Sequence, residues 1–266
     1  MMSKFSKLIL ILIAAIILSS CASTPKRELT KDKAVQIALI KYEMARNIIL
    51  HKDYKNLAEA FGYLEDAKKI LKNDPKVYYM LAIAYQMRKN MRKYEEYLKK
   101  TIKIDPNFFD AYNALGIYYY QVKKYNKAIE MFTKLIENPL YSGADVAFYN
   151  RALVYLSLGK IKQAEEDLQD AVIFSGYSNP LYIKTLINVQ IANKEYLKAL
   201  KTISDMENNM GRSCFTQIKR AFCLFKLNEK QQALSVLNDI KGSSDKCIEQ
   251  KNALLKEIEN DINANN

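Results

Sequence analysis

The pattern of hydrophobic and polar residues from Asp32 onward is helical, and it recurs along the chain. Apolar side chains return every three or four positions, and no strand-like alternation persists. Between residues 105 and 171 one arrangement occurs twice: an apolar stripe, a short turn and a second stripe, each stripe with a small residue between large ones. A small side chain there lets a partner backbone approach, and the large neighbours fill the flanks. The pattern therefore predicts tightly crossed helix pairs.

The same positions recur over most of the chain at spacings of 34 to 36 residues. The large residue of the second helix recurs as Leu98, Phe132, Leu168, Ile203 and Leu237. The small residue four positions earlier recurs as Ala128, Ala164, Ala199 and Ala233. Tyr94 stands there in the earliest of these units, so looser or differently shaped packing is expected at that point. A helix–turn–helix unit of this length resembles the tetratricopeptide repeat.

This resemblance predicts an all-α fold, a right-handed superhelical solenoid of about six tetratricopeptide helix pairs with a C-terminal capping helix. The repeat domain is expected over residues 32–262. Its units are expected at about 33–74, 75–108, 109–144, 145–179, 180–213 and 214–246, with the capping helix at 247–262. The first unit departs from the pattern, with a turn at residues 52–54 and an over-long second helix.

The first 31 residues precede the repeats and are typical of an export signal followed by a tether. Lys4 and Lys7 are followed by an aliphatic segment, residues 8–18, which is too short to span a ~30 Å hydrocarbon layer. The next residues, Leu18-Ser19-Ser20-Cys21, resemble the lipobox of bacterial lipoproteins, although that family more often has Gly or Ala where Ser20 stands. The resemblance implies a signal peptide at 1–20, a lipidated Cys21 and a tether over 21–31. An uncleaved anchor and an ordinary secretory signal are the alternatives.

The residue after the cysteine bears on location. In lipoproteins generally, Asp at that place favours retention in the inner membrane, and this chain has Ala22. The resemblance thus implies the outer membrane, on its periplasmic face, with the protein held by its lipid, including a palmitate-type acyl chain. Several acyl chains anchor far more firmly than one.

The charge balance adds little to this picture. The formal net charge is +12, but the lysines are interleaved with acidic residues, and there is no long basic run or arginine cluster. A solvated lysine-rich surface is the favoured interpretation, and attraction to anionic headgroups is the alternative. We expect no nucleic-acid partner.

The sequence offers one argument against a disulfide between Cys214 and Cys247 and one in its favour. Cys214 and Cys247 lie at equivalent places in successive repeats, which are usually about 10 Å apart and beyond the ~7 Å limit for a disulfide. Both lie near helix starts, however, and the periplasm is oxidising. The sequence therefore leaves a Cys214–Cys247 bridge open. Cys223 falls on a buried stripe and is expected to be a small core residue.

No catalytic motif is present. The chain has no GxSxG, Walker or HExxH sequence. His51 lacks a cysteine or carboxylate cluster at ligand spacing, so a solvated or capping role is expected. The adjacent pairs Glu95-Glu96 and Glu165-Glu166 point in different directions on a helix and are expected on solvated faces. We predict that the protein is not an enzyme and has no cofactor, metal or small-molecule substrate.

A partner-binding groove is the functional feature that the repeat predicts. In stacked helix pairs the first helix of each pair lines the concave side, and residues beside its packing stripe face a ligand. The predicted groove consists of Tyr42, Arg46, Ile49, Tyr79, Ile83, Met87, Asn113, Ile117, Tyr120, Tyr149, Leu153 and Leu156. Aromatic and aliphatic side chains in a concavity suit an amphipathic helix or an extended peptide. The alternative is that several of these tyrosines are core residues.

One known recognition mode does not fit this groove. The carboxylate clamp of chaperone-binding tetratricopeptide domains uses Lys, Asn and Arg. The matching positions here hold Tyr79, Ile83, Ala114 and Val146. Capture of a free C-terminal carboxylate by that clamp is therefore not expected.

The stretch from residue 111 to 168 resembles a more specific family. It contains AYNALGIYYYQVKKYNKAIEMF, the connection NPLYSGADV and AFYNRALVYLSLGKIKQAEEDL. These resemble the third and fourth repeats of the PilF/PilW/Tgl-like pilotins, the lipoproteins of type IV pilus biogenesis and stability. The resemblance implies a lipoprotein that helps the pilus secretin reach the outer membrane or assemble there, using the groove of its early repeats. A scaffold for another envelope machine, in cell-wall synthesis or outer-membrane protein assembly, is the alternative. An enzyme or carrier accessory with an undetected site is a third.

Overall fold

A computed structural model describes residues 30–241 and 244–264, and every regular element in these ranges is an α-helix. The helices are α1 (Lys31–Leu50), α2 (Leu57–Ile70), α3 (Pro75–Met87), α4 (Met91–Ile104), α5 (Phe109–Gln121), α6 (Tyr125–Ile136), α7 (Ala144–Ser157), α8 (Ile161–Phe174), α9 (Pro180–Ala192), α10 (Tyr196–Met210), α11 (Cys214–Lys226), α12 (Lys230–Asn238) and α13 (Asp245–Ala264). The predicted all-α, helix-pair architecture is confirmed. The predicted signal peptide, Cys21 and all but the last two residues of the tether lie outside the described residues.

The chain falls into two compact units, Met1–Met80 and Leu81–Asn266, with the boundary inside α3. In the described part of the first unit, α1 packs on α2 through buried residues that include Ala45 and Leu64. Lys41 Nζ lies 2.6 Å from Asp66 Oδ2 across this pair. Hydrogen bonds from Lys41 and then Lys69 lower the pKa of Asp66 to about 2. The over-long second helix predicted here is wrong: α2 has 14 residues, the same as α4. The extra length lies in α1, which has 20 residues where α3 has 13, and in the six-residue connection 51–56.

The turn inside each helix pair has a constant geometry. In the second unit the two helices of each pair are joined by three residues, and the middle one has a left-handed backbone. These residues are Lys89, Lys123, Gly159, Lys194 and Asn228, with φ between 58° and 70°. Lys52 occupies the corresponding place after α1 in the first unit, with φ 53°. The reversal is thus made the same way each time, whether or not a glycine is present.

The small and large residues of the repeat are buried where the helices cross. The four alanines of the period and its five large residues are all at most 1% exposed. At Gly116 the approach of α5 to α6 is so close that a methyl group there would lie 2.5 Å from Phe132 Cε1. Tyr94 is also buried, and its ring meets Tyr118 edge-on with centroids 5.7 Å apart. At this position the packing is differently shaped, because an edge-on ring pair takes the place of a small residue.

The last three helices close the second unit. The buried Leu237, Leu254 and Ile258 belong to one hydrophobic cluster of α11, α12 and α13. A disulfide joins Cys214 to Cys247, with Cα atoms 6.1 Å apart. Cys214 is the first residue of α11 and Cys247 the third of α13, so their helix positions are not equivalent and the spacing of equivalent repeat positions does not apply.

Two further observations complete the architecture. Cys223 is a free, buried cysteine, and burial raises the pKa of its thiol to about 11. None of the helices in the described ranges has both the length and the apolar character needed to cross a membrane.

Candidate functional site

Half of the predicted groove residues form one continuous surface on α5 and α7. Asn150 Nδ2 donates to Asn113 Oδ1 at 3.2 Å, which joins the two helices near one end. At the other end, the Tyr120 hydroxyl lies 3.1 Å from Ser157 Oγ. Because Ser157 Oγ itself donates to the Leu153 carbonyl at 3.0 Å, Tyr120 is the donor. We call Asn113, Ile117, Tyr120, Tyr149, Leu153 and Leu156 the α5–α7 surface.

The side chains of the α5–α7 surface differ in how far they reach solvent. Ile117 is 38% exposed, whereas the other five are half-buried. Tyr149 packs against Tyr182 of α9, with ring centroids 4.7 Å apart and ring planes tilted by 30°. The surface therefore offers one exposed aliphatic side chain flanked by tyrosines whose orientations are fixed by neighbouring helices. Such fixed aromatic side chains lose little entropy when they bind a partner.

The predicted groove residues of α1 need correction. Tyr42 and Ile49 are buried, at 8% and 2% exposure, and so do not line a surface. Together with Ala38 and Ala45 they form the packing stripe of α1 itself. Burial, with a further contribution from Glu43, raises the pKa of Tyr42. Arg46, by contrast, is exposed and pairs with Glu43 at 3.2 Å.

The three predicted groove residues of α3 are half-buried. Tyr79 belongs to the first compact unit, and Ile83 and Met87 belong to the second. They are therefore assigned to their own units and are not counted in the α5–α7 surface.

A second aromatic surface lies on α11, outside the predicted groove. The positions of Asn113 and Tyr149 continue, at the same repeat spacing, as Lys184 and Ile218. Ile218, Phe215 and Phe222 line a cleft of about 440 Å³ with residues of α9 and α13. Extending the repeat spacing from Tyr149 by two further units would have found it.

The prediction that Glu165-Glu166 and Glu95-Glu96 are solvated pairs is wrong for two of the four residues. Glu165 is only 5% exposed, and its Oε1 accepts a hydrogen bond from Gln190 Nε2 at 3.2 Å. Lys198 Nζ lies 3.4 Å from the same oxygen. Glu95 is half-buried and accepts a hydrogen bond from Tyr119 at 2.8 Å. These carboxylates bind side chains of adjacent helices, so their role is structural.

No metal-binding arrangement is found in the described ranges: no group of three or more His, Cys, Asp or Glu residues is placed to hold an ion. His51 is exposed and ends α1, with Nδ1 2.9 Å from the Asn47 carbonyl oxygen. The side chains on the α5–α7 surface are tyrosines, aliphatics and amides. That arrangement can bind a peptide but supplies no paired acid and base.

Comparison with known families matches the repeat directly. Residues 97–130, and residues 75–108 and 146–172, match two models of the tetratricopeptide repeat. These segments include the α3–α4 pair and parts of the two pairs that follow it. Over these segments the chain carries tetratricopeptide repeats. Repeats of this kind are protein-interaction scaffolds, typically without catalytic activity of their own.

Curated relatives of the chain are distant in sequence. The chain is 29% identical over 147 residues to human neutrophil cytosol factor 2 and 28% identical over 207 residues to the Bos taurus protein of that name. The matches cover 50% and 73% of this chain. They cover only 26% and 35% of those proteins, so the chain spans about a third of their length or less.

Solved structures with the same fold come closer in size. Pseudomonas aeruginosa PilF superposes with a TM-score of 0.59 at 18% identity, over 85% of this chain and 99% of PilF. PilW, a type IV pilus biogenesis factor, superposes with a TM-score of 0.57 at 18% identity, over 83% of this chain and 99% of PilW. YrrB, a tetratricopeptide repeat protein with an unusual peptide-binding site, gives 0.54 at 18% identity, over 70% and 91%. At these identities the likeness is one of fold.

Proposed function

We propose that this protein is an outer-membrane lipoprotein that binds a peptide of the type IV pilus secretin on its α5–α7 surface and assists the secretin's assembly or localisation. The observation that carries the binding role is Ile117, an exposed aliphatic side chain on a surface whose tyrosines are held by contacts between repeats. An apolar anchor among oriented aromatics is typical of peptide-binding surfaces.

Three further observations support the proposed setting. The lipobox-like sequence ending at Cys21 supports lipid anchoring. The Cys214–Cys247 disulfide is of a kind that persists in oxidising compartments such as the periplasm. The shared fold with PilF and PilW, over nearly the whole of both proteins, supports a role in pilus biogenesis.

A pull-down with matched surface variants tests this proposal. The lipidated protein is recovered from detergent-solubilised envelopes of the native host, and its partners are identified by mass spectrometry. We expect the secretin with the wild type, and its loss with Ile117→Glu, since a charge at the exposed anchor opposes burial against a partner. Ile173→Glu on α8 is the control, because Ile173 is 59% exposed and lies outside the α5–α7 surface.

Each outcome bears on a separate part of the proposal. Secretin retained by Ile117→Glu would exclude the α5–α7 surface as its binding site. Recovery of cell-wall synthesis or outer-membrane assembly proteins without secretin would favour the alternative scaffold role. In a parallel fractionation, Cys21→Ala should move the protein out of the outer membrane, and unchanged fractionation would overturn the lipid anchor.

A further inference from the structure

The cleft on α11 combines an apolar floor with one lysine in its lining, Lys219, and a second lysine, Lys184, beside it. It has a volume of about 440 Å³ and lies between α9, α11 and α13. We call it the C-terminal cleft; it is lined by Asn188, Phe215, Ile218, Lys219, Phe222, Gln250, Ala253, Leu254 and Glu257. Its volume falls in the range of sites that accept a small ligand or the side chains of a peptide.

Two ammonium groups stand over one aromatic ring at this cleft. Lys184 Nζ lies 5.4 Å from the centroid of Phe215, and Lys219 Nζ lies 5.7 Å from it. Neither lysine has a carboxylate within ion-pair distance among the residues that the structure describes. Both charges are therefore available to an anionic partner.

The one carboxylate that lines the cleft is already paired. Glu257 Oε1 accepts a hydrogen bond from Lys226 Nζ at 2.9 Å. Lys226 Nζ also lies 5.1 Å from the centroid of Phe222. Lys226 thus offsets the charge of Glu257, and Lys184 and Lys219 add two positive charges beside Phe215.

We propose that the C-terminal cleft binds an acidic peptide segment. A bulky apolar side chain of that peptide packs on Phe215, Ile218 and Phe222, while neighbouring carboxylates pair with Lys184 and Lys219. Charge complementarity selects the acidic flanks, and the apolar floor selects the anchor. A peptide fits better than a membrane surface, because the apolar residues lie in a concavity walled by three helices, which a flat bilayer does not enter.

This cleft is separate from the α5–α7 surface and does not depend on the proposed pilus role. The two sites share no residue. Ile117→Glu is therefore expected to leave peptide binding at the C-terminal cleft unchanged, and failure at one site can be told from failure at the other.

Fluorescence anisotropy with defined peptides tests the inference on the full chain. The probes are fluorescein-labelled peptides of sequence EEFLEE, KKFLKK and EEAAEE. We expect saturable binding of EEFLEE alone, weakened by salt. Lys184→Glu combined with Lys219→Glu should weaken it by about tenfold or more, since two attractive charges become repulsive. The control, Lys103→Glu with Lys162→Glu, makes the same change in net charge on α4 and α8 and should have no effect.

Several results would overturn the inference. Equal binding of EEFLEE and EEAAEE would show bulk attraction without an anchor, and equal loss in the control pair would show that net charge alone is sensed. Absence of EEFLEE binding would reject a peptide site. Binding of phosphatidylglycerol vesicles in its place, lost on Lys184→Glu with Lys219→Glu, would assign the lysines to the membrane. Circular dichroism confirms that each variant is folded.

Discussion

At the scale of single residues, Gly116 determines how closely two helices of a repeat approach. Its Cα faces the ring of Phe132, and a methyl group would lie 2.5 Å from Cε1 and 2.7 Å from Cζ. Phe132 is 1% exposed, so its ring is enclosed by the side chains around it. Gly116→Ala should therefore destabilise the fold by about 1–3 kcal/mol through overpacking, measured by urea unfolding.

Gly62 gives the matched control for that substitution. It lies inside α2, and nothing lies within 4 Å of its added methyl group. Gly62→Ala should stabilise by about 0.5–1 kcal/mol, because alanine has the higher helix propensity. Phe132→Leu should recover part of the loss in the Gly116→Ala background. If Gly116→Ala stabilises the fold as Gly62→Ala is expected to, the close approach of α5 and α6 is wrong.

The left-handed turn residue gives a second prediction. Substitutions at two equivalent turn positions should change the stability of the fold in opposite directions. Gly159 has φ 70° and Lys123 has φ 59°, each in the middle of a three-residue turn. Gly159→Ala should cost about 1 kcal/mol, since a Cβ disfavours this backbone region. Nothing lies within 4 Å of that Cβ, so the cost is conformational. Lys123→Gly should stabilise by up to about 1 kcal/mol, and thermal melts of both variants measure the pair. A shift of the same sign in both would contradict a shared turn conformation.

At the scale of elements, hydrogen bonds between neighbouring repeats respond to pH. The Tyr119 hydroxyl of α5 donates to Glu95 of α4 at 2.8 Å. Burial and this hydrogen bond raise the pKa of Tyr119 to about 12. The unfolded value is about 10, so the folded state favours the neutral phenol. This contribution to stability is complete below pH 10 and is lost as the pH rises through 12.

The corresponding experiment compares Tyr119→Phe with the wild type. The difference in unfolding free energy should shrink by about 2 kcal/mol between pH 10 and 12, because phenylalanine cannot ionise. Denaturant unfolding at fixed pH steps gives the values. Tyr125→Phe, at a tyrosine of α6 outside this contact, is the control. If the difference in unfolding free energy between Tyr119→Phe and the wild type does not change with pH, ionisation of Tyr119 is not linked to stability.

The elements themselves were largely predictable, because repeat packing is local in sequence. Small residues such as Ala128 and large ones such as Leu168 mark each crossing, and their spacing sets the helix pairs. Tyr42 and Ile49 occupy the same repeat positions as Asn113 and Tyr120, yet they are buried in the packing stripe of α1. Repeat position alone therefore does not determine which side chains are exposed.

Contacts between helices were not predictable from the same pattern. Arg151 of α7 makes a bidentate ion pair with Asp167 of α8, at 2.8 and 2.7 Å, and donates to Thr133 of α6 at 2.9 Å. Glu165 reaches Gln190, 25 positions along the chain. A charged residue in a sequence gives no sign that its partner lies on another helix. Buried polar residues therefore look like solvated ones until the helices are packed.

At the scale of the whole molecule, the last three helices differ from the repeats before them, because a disulfide links α11 to α13. In stacked repeats each pair contacts only its neighbours, so a change at one end stays there. The Cys214–Cys247 bridge joins the starts of α11 and α13, two walls of the C-terminal cleft. The disulfide should therefore stabilise the walls of that cleft, and breaking it should leave the α5–α7 surface unchanged.

Cys247→Ser tests this separation. Opening a loop with a sequence separation of 33 should cost about 4 kcal/mol by the chain-entropy estimate. Hydrogen exchange should then speed up in α13 and at the start of α11, with the amides of α5 to α8 unchanged. Cys214→Ser should give the same loss of stability and the same exchange pattern as Cys247→Ser. Cys223→Ala removes a thiol without opening the bridge and should spare α13. Because burial raises the pKa of Cys223 to about 11, its thiol should resist iodoacetamide at neutral pH. In a Cys21→Ala background, alkylation after mild reduction should therefore report the bridge cysteines. Uniform acceleration of exchange across α5 to α13 would mean that the second unit unfolds as one cooperative body, and the two binding surfaces would then share their stability.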